Sequence, residues 1–339
     1  MLLYLTAFNL IKLCCDNDWL ISLIQDPLIH HFIIRRWIMT DIDQEKNMSE
    51  KRKRRRGDRR DGIWLRDLDS MHQFSPYILR NRADSEAFIE ETLDLTAVNA
   101  YLEQKNAENP EFRYTLFQVI STALLRTVVL RPRLNRFIAG RRNYQRTYLS
   151  LAFVAKKQFS DSGAESLLML YFDEDLTLET VREKVYQEVY AVRSGSKLDN
   201  STDVMDHLVR LPRFLLRIVG KLLWILDYYG RIPWSIIKEE PNYSTLFLSN
   251  LGSIKLNAAY HHLNNFGTNS LFVVIGEKGP LPYFDAEGHV EMRDSLKLGI
   301  TLDERIADGY YCSKTMRLLR KLLENPELLE LPFKEEVDY

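Results

Sequence analysis

The stretch from Leu298 to Leu329, LGITLDERIADGYYCSKTMRLLRKLLENPELL, leaves this chain few ways to fold. Apolar side chains alternate through Leu296, Leu298, Ile300 and Leu302, the period of a half-buried strand, and the alternation stops at Asp303. Just past Gly309 the period becomes that of a long amphipathic helix. The short turn between them holds Asp303, Glu304, Arg305 and Asp308. Charged groups at the end of a buried strand, just ahead of a helix whose first N–H groups attract anions, are placed as a site would be.

Upstream segments supply the partners such a strand needs. Ala87–Leu95 alternates loosely and reads as a strand, and Thr96 is placed to cap a helix to about Lys105. Pro110 breaks the chain, and Tyr114–Leu130 carries an apolar helical pattern that Arg131-Pro132 ends, since proline cannot continue a helix. Tyr148–Lys156 and Ser166–Phe172 read as strands, and Thr177 as the cap of a helix to about Ser194. Strands follow at Thr245–Gly252 and Leu271–Glu277, then a hairpin turn at Glu287-Gly288. The expected fold class is α/β (α+β two-layer), a mixed β-sheet with covering helices. No internal repeat suggests a solenoid.

A chain of 339 residues is ample for a sizeable core. Its 46 Lys and Arg against 47 Asp and Glu give a formal net charge of -1, so no global field argues for nucleic acid. Cys14 and Cys15 are adjacent and Cys312 stands alone, which argues against a disulfide framework and for a reducing, cytoplasmic setting.

Residues 1–60 differ in character from the rest. Met1–Asn47 is rich in Leu, Ile and Trp, but charges interrupt it before any run reaches the ~18 apolar residues of a membrane span. It lacks the basic start and cleavage site of a signal peptide. Met48 opens a polar, basic stretch of the sort that begins many soluble bacterial proteins, and translation is expected to start there; an interfacial anchor is the rival reading. Lys51–Arg60 reads as a solvated basic tail, and residues 61–339 as one domain.

Leu211–Tyr229 has a composition of its own. Arg210, Arg213, Arg217 and Lys221 recur every three or four residues as a basic stripe beside a broad apolar remainder. A helix of this kind is expected to be buried in the domain or in a subunit contact, with its basic edge in water. An anionic membrane surface is the alternative partner for 210–229 and would make the protein peripheral to the membrane.

Two motifs carry a family resemblance. Asp303-Glu304-Arg305-Ile306-Ala307-Asp308-Gly309 resembles the Asp-His-Arg-x-x-Asp-Gly motif of the acyltransferase components of 2-oxo acid dehydrogenase complexes, a family that shares its fold with chloramphenicol acetyltransferase. Ser249-Asn250-Leu251-Gly252 resembles the end of its Ile-Ser-Asn-Leu-Gly motif, and Arg131-Pro132-Arg133-Leu134-Asn135 its junction after a buried helix. The likeness is strong from about Thr245 to Leu329, faint from Ala87 to Glu240 and absent over residues 1–60. It implies a coenzyme A-dependent acyltransferase-like fold, a homotrimer with active sites between subunits, and acyl-CoA as co-substrate. No lipoyl domain precedes the catalytic region, so a free-standing catalytic domain without a lipoyl group is expected.

The resemblance also assigns roles. Acyl transfer needs a base near the nucleophile and a donor for the oxyanion. Ser249 inherits the donor, and Asp308 a structural ion pair with Arg80 or Arg82. The family's general-base histidine falls on Glu304, a departure from the motif. A carboxylate is some two pKa units less basic than imidazole, a deficit on the order of 3 kcal/mol. Three readings stay open: Glu304 as a base tuned by burial, an inactive family member that binds acyl-CoA or serves assembly, or His261 or His262 standing in. Cys312 reads as a buried structural thiol. No Cys/His metal spacing, phosphate-cradling Gly loop or Gly-x-Ser-x-Gly elbow occurs, so a metal, nucleotide or serine-hydrolase reading has no support.

Overall fold

The computed structural model describes residues 54–156, 165–173, 176–194 and 210–339; the expectations for Met1–Lys53, including Met48, Cys14 and Cys15, lie outside them. By its contacts the chain divides into two units, and every element below belongs to the larger, Arg56–Ile232 with Ile236–Tyr339.

A small sheet joins β1 (Gly62–Trp64), β4 (Arg142–Arg146) and β3 (Arg136–Ala139) in that order. The main sheet runs β2 (Glu86–Asp94), β10 (Val290–Asp303), β8 (Leu271–Ile275), β7 (Leu246–Asn250), β5 (Leu149–Lys156) and β6 (Glu165–Phe172), with β9 (Gly279–Phe284) paired to the first half of β10. β7 is parallel to β5 and to β8 and the other pairings are antiparallel, so the sheet is mixed. Helices α1 (Ser70–Ile78), α2 (Thr96–Ala107), α3 (Leu116–Leu130), α4 (Leu178–Arg193), α5 (Arg213–Tyr228) and α6 (Gly309–Glu324) complete it. The core lies between one face of the sheet and α3, α4 and α6, which gives the two-layer architecture expected.

β10 holds the sheet together, paired to β2 along Ser295–Asp303 and to β8 along Leu298–Leu302. Leu296, Leu298, Ile300 and Leu302 enter the core beside Leu318, Leu319 and Leu322 of α6. The alternation predicts a half-buried strand, yet Leu298–Asp303 is buried throughout. The opposite face is covered by the loop at Ala258–Tyr260, which comes so close that a Cβ at Gly299 would stand 2.2 Å from the Ala259 carbonyl oxygen, and one at Gly276 2.4 Å from the Ala258 nitrogen. A backbone can approach that closely only over glycine.

Local signals set the helix ends. Thr115 begins α3 in a capping box, its hydroxyl accepting from Gln118 N while Gln118 accepts from Thr115 N. Thr96 is the first residue of α2 and not its cap; its amide and hydroxyl donate to Asp94, at 2.9 and 2.6 Å.

The basic tail ends sooner than its composition implies. Arg59 is buried, its Nε 2.8 Å from Asp61 Oδ1 and its Nη2 3.0 Å from Asp227 Oδ1, and the Tyr243 hydroxyl donates to Asp227 at 2.8 Å. Burial opposes the charge on Arg59, but Asp61 and Asp227 outweigh it and hold the guanidinium pKa above its ordinary value. The tail reading missed this because both partners are invisible to a local count of charge, one of them 168 residues away.

The same ion pair tethers α5, where burial within the domain, one of the two places expected for the helix, does not hold. Leu215 and Asp227 are its only buried residues, while Phe214, Ile218, Leu222, Trp224 and Ile225 are exposed. This chain alone does not bury the helix. Asp227→Ala leaves Arg59 its pair with Asp61 but removes one of its contacts and the acceptor of the buried Tyr243 hydroxyl, so it is expected to lower unfolding free energy by about 1–3 kcal/mol, measured as a lower urea midpoint at unchanged slope.

Candidate functional site

The turn after β10 is held from inside by Asp303. This fully buried carboxylate accepts from Arg305 Nε at 2.8 Å, Arg305 Nη2 at 2.7 Å and the Arg305 amide at 3.2 Å. Arg82 Nε lies 3.8 Å from it, an ion-pair distance too long for a hydrogen bond. Ile306 donates back to the Asp303 carbonyl at 3.1 Å, and Ile306 and Ala307 enter the core. Glu304 is tied only through its amide, which donates to the Ser85 carbonyl at 2.9 Å, and its side chain is exposed. It forms no ion pair with any described residue, so one carboxylate projects from a turn whose neighbours are locked on both sides.

Asp308 leads into α6 and is exposed. Its carboxylate accepts from the Tyr311 amide at 2.8 Å as the helix N-cap and stands 3.4 Å from Arg133 Nη1. The Tyr311 N–H, with Arg133 adding to it, holds the carboxyl below the usual carboxylate range. The expected pairing with Arg80 or Arg82 is therefore corrected: the exposed partner of Asp308 is Arg133, and Arg82 belongs to Asp303. Sequence order suggested the pair, but Arg82 is drawn inward by carbonyl oxygens. It donates to Asn264 at 2.5 Å, Ile138 at 3.0 Å and Gly267 at 3.1 Å, and burial brings its pKa down to about 10 despite Asp303.

A second cluster sits on the sheet face away from the helices. His261 stacks on Phe272 with centroids 4.2 Å apart and planes 7° from parallel, and Phe272 stacks on Phe247 at 4.6 Å. Ser249, two residues beyond Phe247, shares its strand face. The His261 and His262 rings stack at 4.7 Å, both exposed, and His261 Nδ1 donates to the His262 carbonyl at 2.8 Å. Gly252 of the serine motif is needed for packing, since a Cβ there would meet the Gly276 carbonyl oxygen at 2.4 Å.

The register keeps the two clusters apart. Ser249 pairs with Val274, and Val274 with Gly299, four residues before Asp303. That separation is roughly 13 Å along the strands and roughly 10 Å across two of them. Within one chain the structure brings Ser249 and His261 to one sheet face and Glu304 and Asp308 to one turn, but not all four to one point.

Sequence reasoning missed the groups around Asp308. Arg131 lies over the Tyr311 ring at 3.8 Å, and the Tyr311 hydroxyl accepts from the Arg133 amide at 3.0 Å. The Arg-Pro-Arg spacing was the available signal. Cys312 is buried and its thiol is pushed up to about 11 by burial and then by Asp308, so it is a poor nucleophile. Between β10, α3 and α6 lies an apolar void of about 20 Å³ lined by Ile300, Leu302, Cys312 and Met316 among others, room for one water and not for a substrate. Asp285, Glu287 and His289 form the one grouping of metal-ligand type among the described residues, exposed at the β9–β10 turn, with His289 Nδ1 2.9 Å from Asp285.

Sheet order, crossing loop and motif turn together define the coenzyme A-dependent acyltransferase-like fold. Residues 235–331 match the profile of the family described as 2-oxoacid dehydrogenases acyltransferase (catalytic domain), the family that the motifs resemble. A search of curated protein sequences finds no match. Among solved structures, the cubic core of the pyruvate dehydrogenase multienzyme complex matches with a TM-score of 0.53 at 14% identity, over 79% of this chain and 94% of that one. The dihydrolipoamide acetyltransferase of Azotobacter vinelandii gives the same figures, a TM-score of 0.53 and 14% identity over 79% and 94% of the two chains. A chloramphenicol acetyltransferase matches at 11% identity over 77% and 99%, with a TM-score of 0.46.

The cap on α6 has a pH signature. A carboxyl whose folded pKa is depressed contributes stability above its unfolded value near 4, and that contribution is lost as pH falls through the folded pKa. Asp308→Ala is expected to cost about 1 kcal/mol at neutral pH, with the gap to the unsubstituted protein closing below about pH 4 in thermal melts.

Proposed function

We propose that this protein is an acyltransferase that moves an acyl group from acyl-CoA to a thiol, alcohol or amine, in sites completed by a neighbouring copy of the chain. The observation that carries this is Glu304, an exposed carboxylate with no ion-pair partner among the described residues in an otherwise locked turn, at the place where the motif has its histidine. The Azotobacter vinelandii study concerns a serine, a histidine and an asparagine in that enzyme's mechanism, the last two four residues apart, as are Glu304 and Asp308 here. The separation of Ser249 from Glu304 supports assembly, because a base and an oxyanion donor that far apart can meet one substrate only across two copies. A trimer is the assembly expected, and acyl-CoA, a cytoplasmic thioester, the donor.

In this reading Glu304 takes the proton of the acceptor as it attacks the thioester carbonyl, and the Ser249 hydroxyl donates to the resulting oxyanion. Collapse of the tetrahedral intermediate breaks the carbon–sulfur bond, and the CoA thiolate receives the proton from Glu304. A neighbouring copy over the turn would exclude water from the carboxylate, which favours proton uptake and recovers part of the basicity lost with imidazole. Asp308 and Arg133 position the start of α6. His261, on the face of Ser249, is the alternative base.

A second reading rests on Glu304 itself: with an anion in place of imidazole, the protein binds acyl-CoA without turning it over. Thiol release from acetyl-CoA, with dihydrolipoamide as acceptor, separates the two. Turnover in the unsubstituted protein that falls about 100-fold or more in Glu304→Gln, with acetyl-CoA binding retained in calorimetry, assigns the base. Binding without turnover that Glu304→His converts to turnover assigns the inactive reading. Loss on His261→Ala with Glu304→Gln unaffected moves the base to the histidine.

A further inference from the structure

We propose that α5 is a membrane-surface helix that seats the protein on anionic lipid. At 100° per residue its solvent-facing half divides into two rows. Arg213, Arg217 and Lys221 lie along one, with the exposed Trp224 and Tyr228 between and beyond them. Phe214, Ile218, Leu222 and Ile225 lie along the other, each between 45% and 54% exposed. Contiguous large apolar side chains left in water mark an interaction surface.

The charge on this surface selects the occupant. The only acid of α5, Asp227, is buried against Arg59 and Tyr243, so the exposed half carries cations and no carboxylate. The α5 of a second copy seated on it would set Arg213, Arg217 and Lys221 against like charges with no carboxylate to pair them, which is costly. A lipid surface meets both rows at once: phosphates take the cations and the apolar row enters the acyl boundary. Trp224 and Tyr228 stand where amphipathic rings sit at an interface. No helix among the described residues is long and apolar enough to cross a membrane, so α5 would lie on the bilayer. The tether through Asp227 and Arg59 fixes the buried side of the helix and leaves the two rows outward. This proposal stands apart from the acyltransferase reading, since α5 contributes none of the site residues.

The full chain is tested by sedimentation with vesicles of phosphatidylcholine alone and of phosphatidylcholine mixed with phosphatidylglycerol. Binding is expected to the mixed vesicles, to weaken with added salt, and to fall by at least about tenfold in Arg213→Glu/Arg217→Glu and in Ile218→Ser/Leu222→Ser. All four positions are exposed, and circular dichroism checks that the variants fold. Brominated acyl chains should quench tryptophan fluorescence in the unsubstituted protein and less so in Trp224→Phe. Absence of binding by the full chain, equal binding to neutral vesicles, or binding that none of these variants weakens would overturn the proposal. So would a smaller oligomer for Ile218→Ser/Leu222→Ser in analytical ultracentrifugation, which would make the row a contact between copies.

Discussion

A buried carboxylate at the end of the central strand needs cationic partners, and the way Asp303 obtains them organises much of the molecule. Arg305 closes the motif turn onto it, and Arg82 approaches from the segment before β2. Arg82 in turn gathers carbonyls from the loop at 264–267 and from β3, joining the small sheet to the main one. Beyond that loop, Thr268 accepts from Arg146 at 2.9 Å and donates to Asp61 at 3.5 Å, and Asp61 holds Arg59, which holds Asp227 of α5. A chain of buried polar contacts thus leads from the candidate catalytic turn to the outward helix. Each charge within it is tolerable only because the next is in place.

The other organising constraint is the crossing loop. Its close approach to Gly276 and Gly299 seals the outer face of β10 and sets His261 over Phe272. One compact segment therefore excludes water from the sheet and presents imidazoles near the serine motif. The helical layer lies on the other side, so the serine motif and the main core occupy opposite faces of one sheet.

Because β10 runs antiparallel to β7 and β8, its end with the acidic turn lies level with their beginnings, while Ser249 lies near the end of β7. The polarity of the strands thus separates two groups that the proposed acyl transfer would need together. An interface between copies of the chain is the economical way to reunite them, and it would give the exposed turn a covering as well.

Much of this was legible in the residues. Apolar runs and alternation located β2, β5, β6, β7 and β8 to within a few residues and the second half of β10, and Pro132 marked the end of α3, because these signals are local and act through backbone geometry. Less legible were long-range charges: Arg59 looked like tail and Arg82 like a partner for Asp308, since sequence shows a charge but not the carbonyls and carboxylates that surround it. The candidate turn could be found, but not that Glu304 alone of its first five residues points outward.

By itself the sequence determined the strand-turn-helix unit and which side chains the turn carries, for hydrophobic period and capping are properties of neighbours along the chain. Tertiary structure alone decided that Gly299 lies under a loop, that Asp303 and not Asp308 takes the buried arginines, and that the apolar row of α5 faces out. Those outcomes depend on which segments meet in space, and burial, pairing and exposure have no value until they do.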